Sequence, residues 1–316
     1  MPPRKKGIKR ALVLGCGGVA GAAWQIATLD CLQRELSWDA READVLIGTS
    51  AGAVLAALLA SGVSVERMMQ SQRGEAEACV WNHDSDSGGA LPPWPALRFP
   101  AARLALHGLR RRVGPLAAFS GLLPQGRCDM RPFLRLVDSV VPVGEWAPHP
   151  ACWIVTVDAA SGARVAFGRE DAPAAPLNLA VCASYGVPGW CPPVRIGSRT
   201  YLDGGVASPT SADFLIGSGV SEAVVLAPMA STEPDCPASL LEQVERRVRR
   251  HMTRIVDREV AALRAAGIRV IRLEPGPEDL EVFGYNMMDP RRRRQVFETA
   301  LRTAPRAVRS ACVVGV

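Results

Sequence analysis

The sequence predicts a three-layer α/β/α sandwich with a largely parallel sheet, and three observations carry that expectation. Short apolar runs alternate with helix-forming stretches along the chain, the pattern of strands joined by crossover helices. Two of these runs end in glycine-rich turns that open straight into a helix. With 316 residues, 48% of them hydrophobic, and no low-complexity linker, the chain can bury one large core.

Taken in order, residues 1–10 form a basic N-terminal tail ahead of a single domain spanning 11–316. The apolar run 11–15 reads as a first strand, followed by a glycine-rich loop and a helix from about residue 21 to 36. Residues 43–48 form a second strand, and the helix from residue 51 follows after one tight turn. The run 45–63 is uncharged over 19 residues, but its glycines, Thr49 and Ser50 fall where a strand must turn, so it reads as a buried strand-turn-helix unit, not a membrane span. Residues 82–127 are irregular, with a proline-rich start and arginines among Leu, Phe and Ala. Alternation of this kind fits a segment lying on anionic lipid or lidding a site, and equally an ordinary loop and surface helix. Further strands are expected at 153–157, 223–226 and 269–273, with a helix near 177–183. A charged helix runs through 243–252, and a loop over 275–290 precedes a last helix.

Charge and cysteine content narrow the function classes. A net charge of +6 favours acidic surfaces such as phospholipid headgroups. The arginine clusters at 246–250 and 291–294 sit beside Glu242, Glu245 and Glu298 without interleaved aromatics, so they read as solvated helix faces, and no nucleic-acid partner is expected. Nine cysteines with no C-x-x-C pair, in a chain without a secretory leader, predict reduced thiols, a cytoplasmic location and neither a disulfide frame nor a zinc site.

The chemistry concentrates at two turns. Gly48-Thr49-Ser50-Ala51-Gly52 is a G-x-S-x-G pentapeptide between a strand and a helix, where small flanking residues leave a serine exposed at the apex. Ser50 is therefore a candidate nucleophile. Gly15-Cys16-Gly17-Gly18-Val19-Ala20-Gly21 is an anion site by construction, because glycines let backbone N–H groups converge at a helix N-terminus. It also fits a loose dinucleotide fingerprint, but the next strand ends in Gly48-Thr49-Ser50 and not in the acidic residue that a ribose requires.

A nucleophilic serine needs a base. Ser50, Asp203 and His251 follow the chain order of an α/β-hydrolase triad, yet too few strands precede Ser50 and His251 falls on a charged helix face. His83, His107 and His149 lie in irregular or proline-flanked sequence. Asp203 ends a short strand and is followed by Gly204 and Gly205. Asp-Gly-Gly fits a simple turn, and it also fits a carboxylate set to deprotonate a serine directly.

In these residues the sequence resembles the patatin-like lipid acyl hydrolases, through the loop at 12–21, the Ser50 pentapeptide and Asp203-Gly204-Gly205, in that order. Residues 182–194 resemble the family's Ala-Ser-x-x-x-Pro segment. The resemblance implies that Ser50 is acylated by a lipid ester and that Asp203 is its base. It implies that the backbone N–H groups of Cys16, Gly17 and Gly18 hold the oxyanion, with Gly15, Gly21, Gly48, Gly52, Gly204 and Gly205 supporting the motifs. Two departures stand out: Cys16 occupies the first glycine position and Ala20 the basic one. The expected activity is hydrolysis of phospholipid or glyceride esters without metal or organic cofactor, with peripheral contact to an anionic membrane. A lipid-binding scaffold, or a thioesterase or acyltransferase using the same dyad, are the alternatives.

Overall fold

The computed structural model describes residues 8–75, 81–83, 86, 89–233, 235–237 and 239–314. Most of the expected N-terminal tail, Cys79 and part of the 82–127 segment lie outside the described residues. The strands are β1 (Arg10–Leu14), β2 (Val45–Thr49), β3 (Cys152–Asp158), β4 (Arg164–Phe167), β5 (Val194–Ile196), β6 (Arg199–Asp203), β7 (Glu222–Leu226) and β8 (Arg269–Leu273). The α-helices are α1 (Gly18–Leu36), α2 (Ala51–Ala60), α3 (Val65–Arg73), α4 (Ala102–Leu109), α5 (Pro115–Ser120) and α6 (Arg131–Asp138), followed by α7 (Leu177–Ser184), α8 (Leu240–Ala265), α9 (Pro277–Phe283) and α10 (Arg293–Val314).

The strands form one eight-stranded sheet in the order β5-β6-β3-β2-β1-β7-β8, with β4 also paired to β3. The central pairs β3-β2, β2-β1, β1-β7 and β7-β8 are parallel, and the pairs made by β4, β5 and β6 are antiparallel. Alternation along β1 divides the core in two. Leu12 and Leu14 point to the layer of α1, α2 and α10, whereas Ala11 and Val13 point to the layer where Val256, Val260 and Leu263 of α8 cover the sheet. These are the three layers that the alternating pattern predicts.

The apolar run around α2 is explained by burial. α2 is apolar on nearly all sides and lies inside the fold, as such helices do. No helix among the described residues is long and apolar enough to cross a membrane. α1 begins earlier than the sequence suggests, at Gly18, so the glycine-rich stretch is itself the first helical turn.

One cysteine expectation is overturned. Cys128 and Cys191, 63 residues apart, form a disulfide. Sequence spacing hid the pair because it is made by tertiary approach: the chain leaving α5 runs beside the turn after α7, where Cys128 N–H donates to the Trp190 carbonyl at 3.0 Å. Cys16, Cys31, Cys152, Cys182, Cys236 and Cys312 are free thiols. Among the described residues no cluster of His, Cys, Asp and Glu could hold a metal ion.

Candidate active site

The register of β3 brings the two candidate residues together. β4 pairs with Ile154 through Val157 along one edge of β3. β2 and β6 must therefore share the other edge, with Thr49 opposite Val155 and Asp203 opposite Thr156. The ends of two strands distant in sequence thus meet at successive positions of a third. Ser50 follows Thr49 directly, so its side chain lies close enough to the Asp203 carboxylate to lower the pKa of that group.

Ser50 sits at φ 56° and ψ −120°, a conformation that non-glycine residues rarely adopt and that functional turns often hold. The packing around it leaves no room for alternatives. A Cβ at Gly52 would lie 2.0 Å from the Leu14 carbonyl oxygen, and one at Gly48 would lie 2.4 Å from that of Gly52. The Ser50 N–H is held from below: it donates to Ser184 Oγ at 2.8 Å, and that hydroxyl donates to the Val155 carbonyl at 2.6 Å. Ser184 is fully buried at the end of α7. Sequence reasoning placed it only within a family segment, because nothing local marks its hydroxyl as a brace.

Asp203 is buried, and its Oδ1 accepts the Gly205 N–H at 2.7 Å. Burial pushes its pKa up to about 7, against the lowering effect of the nearby Ser50 side chain and of the Gly205 N–H. Gly204 lies against the Val155 carbonyl, and a Cβ at Gly205 would sit 3.0 Å from both Asp203 Oδ1 and Cys16 Sγ. The Cys16 side chain therefore packs against the Asp-Gly-Gly turn. Burial first and the Asp203 charge second raise its pKa, so the thiol stays protonated.

The glycine-rich loop differs from expectation in one donor. The Cys16 N–H is already given to the Pro209 carbonyl at 2.8 Å, and Gly15 N–H to that of Leu226 at 2.9 Å. Among the described residues the N–H groups of Gly17, Gly18 and Val19 make no protein hydrogen bond, as befits the first turn of α1. Gly18 takes φ 58°, and a Cβ there would meet the Met287 carbonyl at 2.6 Å. Pro228 packs against Gly17 and Gly21. The loop is thus clamped on both sides with three donors left free.

A cavity of about 250 Å³ opens from this point. Gly18, Val19 and Ala22 of α1 line it, facing Ala51, Val54 and Leu58 of α2, with Phe133 and Tyr185 against them. Seven residues separate Ala51 from Leu58, so the slot follows α2 for roughly 10 Å. Its far part carries Arg67, Ser71 and His83, the last within 3.0 Å of the Ser71 hydroxyl. His251 lies on α8, as expected from its charged surroundings, and His149 meets the Ala43 carbonyl.

The sequence model of the patatin-like phospholipase family matches residues 12–216, well over half of the chain. The chain belongs to the patatin-like phospholipase family. Members of the patatin-like family are lipid hydrolases. The chain is also similar to two solved structures. VipD from Legionella pneumophila is 12% identical, with a TM-score of 0.44, and the match covers 95% of this chain and 66% of VipD. The type III effector protein ExoU is 16% identical, with a TM-score of 0.36 and coverage of 96% and 53%. The chain thus spans less than two thirds of the length of either. No curated protein matches it. The patatin-like match includes the loop, Ser50, Ser184 and Asp203, the residues that the geometry gathers at one end of the sheet.

Proposed function

We propose that this chain hydrolyses the acyl ester bonds of lipids through an acyl-enzyme on Ser50, with Asp203 as the base. The observation that carries this reading is the closeness of a strained, braced serine to a buried carboxylate whose pKa is raised to about 7, with Ala51, the residue after that serine, lining a largely apolar cavity. A base with that pKa is ionised near neutral pH and still holds a proton well enough to return it.

The steps follow from the groups present. The Ser50 hydroxyl attacks the ester carbonyl carbon while Asp203 takes its proton. The carbonyl oxygen becomes an oxyanion at the start of α1, where the N–H groups of Gly17, Gly18 and Val19 receive it, reinforced by the helix dipole. Asp203 then protonates the departing alcohol. Water attacks the acyl-enzyme with Asp203 again as base, and the free fatty acid leaves. The slot between α1 and α2 takes the acyl chain, since the walls it presents nearest the serine turn, Val19, Ala22, Ala51, Val54, Phe133 and Tyr185, are mostly aliphatic and aromatic.

Labelling with a fluorophosphonate tests the nucleophile, and a panel of phospholipid, glyceride and acyl-CoA substrates tests the class. The expected result is labelling of the wild type and of Cys16→Ala, none of Ser50→Ala, and fatty acid released from lipid esters. An unlabelled wild type supports the lipid-binding scaffold in its place. Turnover of acyl-CoA alone supports a thioesterase.

A further inference from the structure

Between Asp86 and Asp129 the chain contains no acidic residue and six arginines: Arg98, Arg103, Arg110, Arg111, Arg112 and Arg127. All six are exposed, and among the described residues none forms an ion pair. Elsewhere some exposed arginines have a carboxylate beside them, as in Arg34 with Asp30, Arg131 with Asp129 and Arg291 with Asp289, and others such as Arg247 and Arg254 do not; what sets this stretch apart is that it carries no carboxylate at all. The same stretch holds half of the exposed large apolar side chains among the described residues, with Trp94 at 89%, Leu97 at 91% and Leu109 at 84% exposure. Soluble surfaces scatter such residues singly. Here they are concentrated with unneutralised positive charge.

The segment is built, not loose. α4 and α5 close on each other where a Cβ at Gly108 would lie 2.2 Å from the Ala118 Cβ and one at Gly121 would lie 2.5 Å from the Ala105 backbone nitrogen. Ala96 N–H donates to the Gln125 carbonyl at 2.9 Å and joins the two flanks. Leu104 is fully buried with Ala101 against Leu202, the residue before Asp203 in β6. On the outer side of α4, Arg103, Leu106, Leu109 and Arg110 share a face at helical spacing. The frame thus holds apolar side chains and cations outward together, on a support that continues into the candidate site.

We infer that the α4–α5 hairpin and the 91–99 segment before it dock this protein on the surface of an anionic phospholipid bilayer. Aromatic and aliphatic side chains enter the interface while arginines meet headgroup phosphates and carboxylates, the pairing that peripheral membrane segments use. A protein partner would need a matching acidic surface; a second copy of this positively charged patch would repel it. The inference concerns attachment, so it does not depend on hydrolysis.

Sedimentation of the full-length Ser50→Ala protein with vesicles tests it without consuming the lipid. Phosphatidylcholine vesicles containing phosphatidylserine are expected to bind the protein, and pure phosphatidylcholine vesicles to bind it far less. Arg110→Gln with Arg111→Gln and Arg112→Gln lowers the anionic binding about a hundredfold, at roughly a factor of five per arginine. Brominated acyl chains quench fluorescence in the bound protein, and Trp94→Phe removes a large part of that quenching. All these side chains are exposed, and an unchanged thermal melt confirms that each variant is folded. Equal binding to both vesicle types, binding indifferent to the triple substitution, or a dimer in solution that Trp94→Ser with Leu97→Ser abolishes would each overturn the inference.

Discussion

The Asp203 carboxyl has an ordinary pKa of 3.8 and is raised to about 7 by burial beside Ser50. Below about pH 4 it is protonated in both folded and unfolded chains and contributes no pH dependence. Between about 4 and 7 the folded chain keeps the proton that the unfolded chain releases, so its contribution to stability falls as pH rises. Above 7 the folded protein carries a buried charge at a cost of a few kcal/mol. Two outcomes follow at this scale. Turnover, read as kcat/KM, rises through about pH 7 and then levels. Asp203→Asn loses turnover by about a thousandfold or more, yet resists urea better than the wild type at pH 8, with the gap closing toward pH 4. Equal urea midpoints at pH 8 would remove burial as the cause of the shift. Ser50 and Asp203 were legible in the sequence because each sits in a glycine-flanked strand end. The Gly-rich loop was legible as a turn that opens a helix, but the N–H groups it leaves free were not: only the fold reveals that Cys16 gives its N–H to Pro209 and that the helix already begins at Gly18.

At the scale of elements, β3 acts as a ruler for the site. Sequence patterns located the strands ending at Thr49 and Asp203, but a strand pattern carries no record of which edge it joins. The shared edge, and with it the meeting of Ser50 and Asp203, comes from β4 occupying the other side. α7 completes this junction through Ser184, whose hydroxyl links the Ser50 N–H to the Val155 carbonyl. Ser184→Ala leaves a buried donor without a partner, at about 1–3 kcal/mol. The melting temperature is expected to fall, and kcat to fall more than KM rises, because the serine turn loosens while the apolar slot is untouched. A variant with a lower melting point but unaltered kcat would make Ser184 a packing residue only. A second brace lies on α8. Glu259 accepts Ser208 and Thr210 hydroxyls, each at 2.5 Å, and the Ala212 N–H at 3.0 Å. It thereby fixes the loop whose Pro209 carbonyl receives Cys16. Glu259→Ala is expected to weaken fluorophosphonate labelling of Ser50 as well as stability, since the clamp on the glycine-rich loop is released.

At the scale of the whole molecule, the layers were legible because buried parallel strands and the helices that cover them impose opposite periodicities on the sequence. The 82–127 segment was legible only as irregular and basic, since its hairpin depends on close contacts between glycines and alanines that leave no periodic trace. The Cys128–Cys191 bond was invisible for the same reason, and it decides how that segment is fixed. Gly126 abuts the Trp190 and Cys191 backbone, where a Cβ would come within 2.1 Å. The exit of the insertion is therefore pinned to the turn between α7 and β5, which separates Ser184 from the strand carrying Asp203. Closing a loop of 63 residues reduces the freedom of the unfolded chain by about 4 kcal/mol in the chain-entropy account. Cys191→Ser, or a reductant, should lower the melting temperature and speed proteolysis within residues 89–127 before the rest of the chain is cut. A peptide map without reductant should contain the 128 and 191 peptides as one linked species. If all nine cysteines alkylate in denaturant before any reductant is added, the bond does not form, and the insertion is held by its hydrogen bonds and glycine contacts alone.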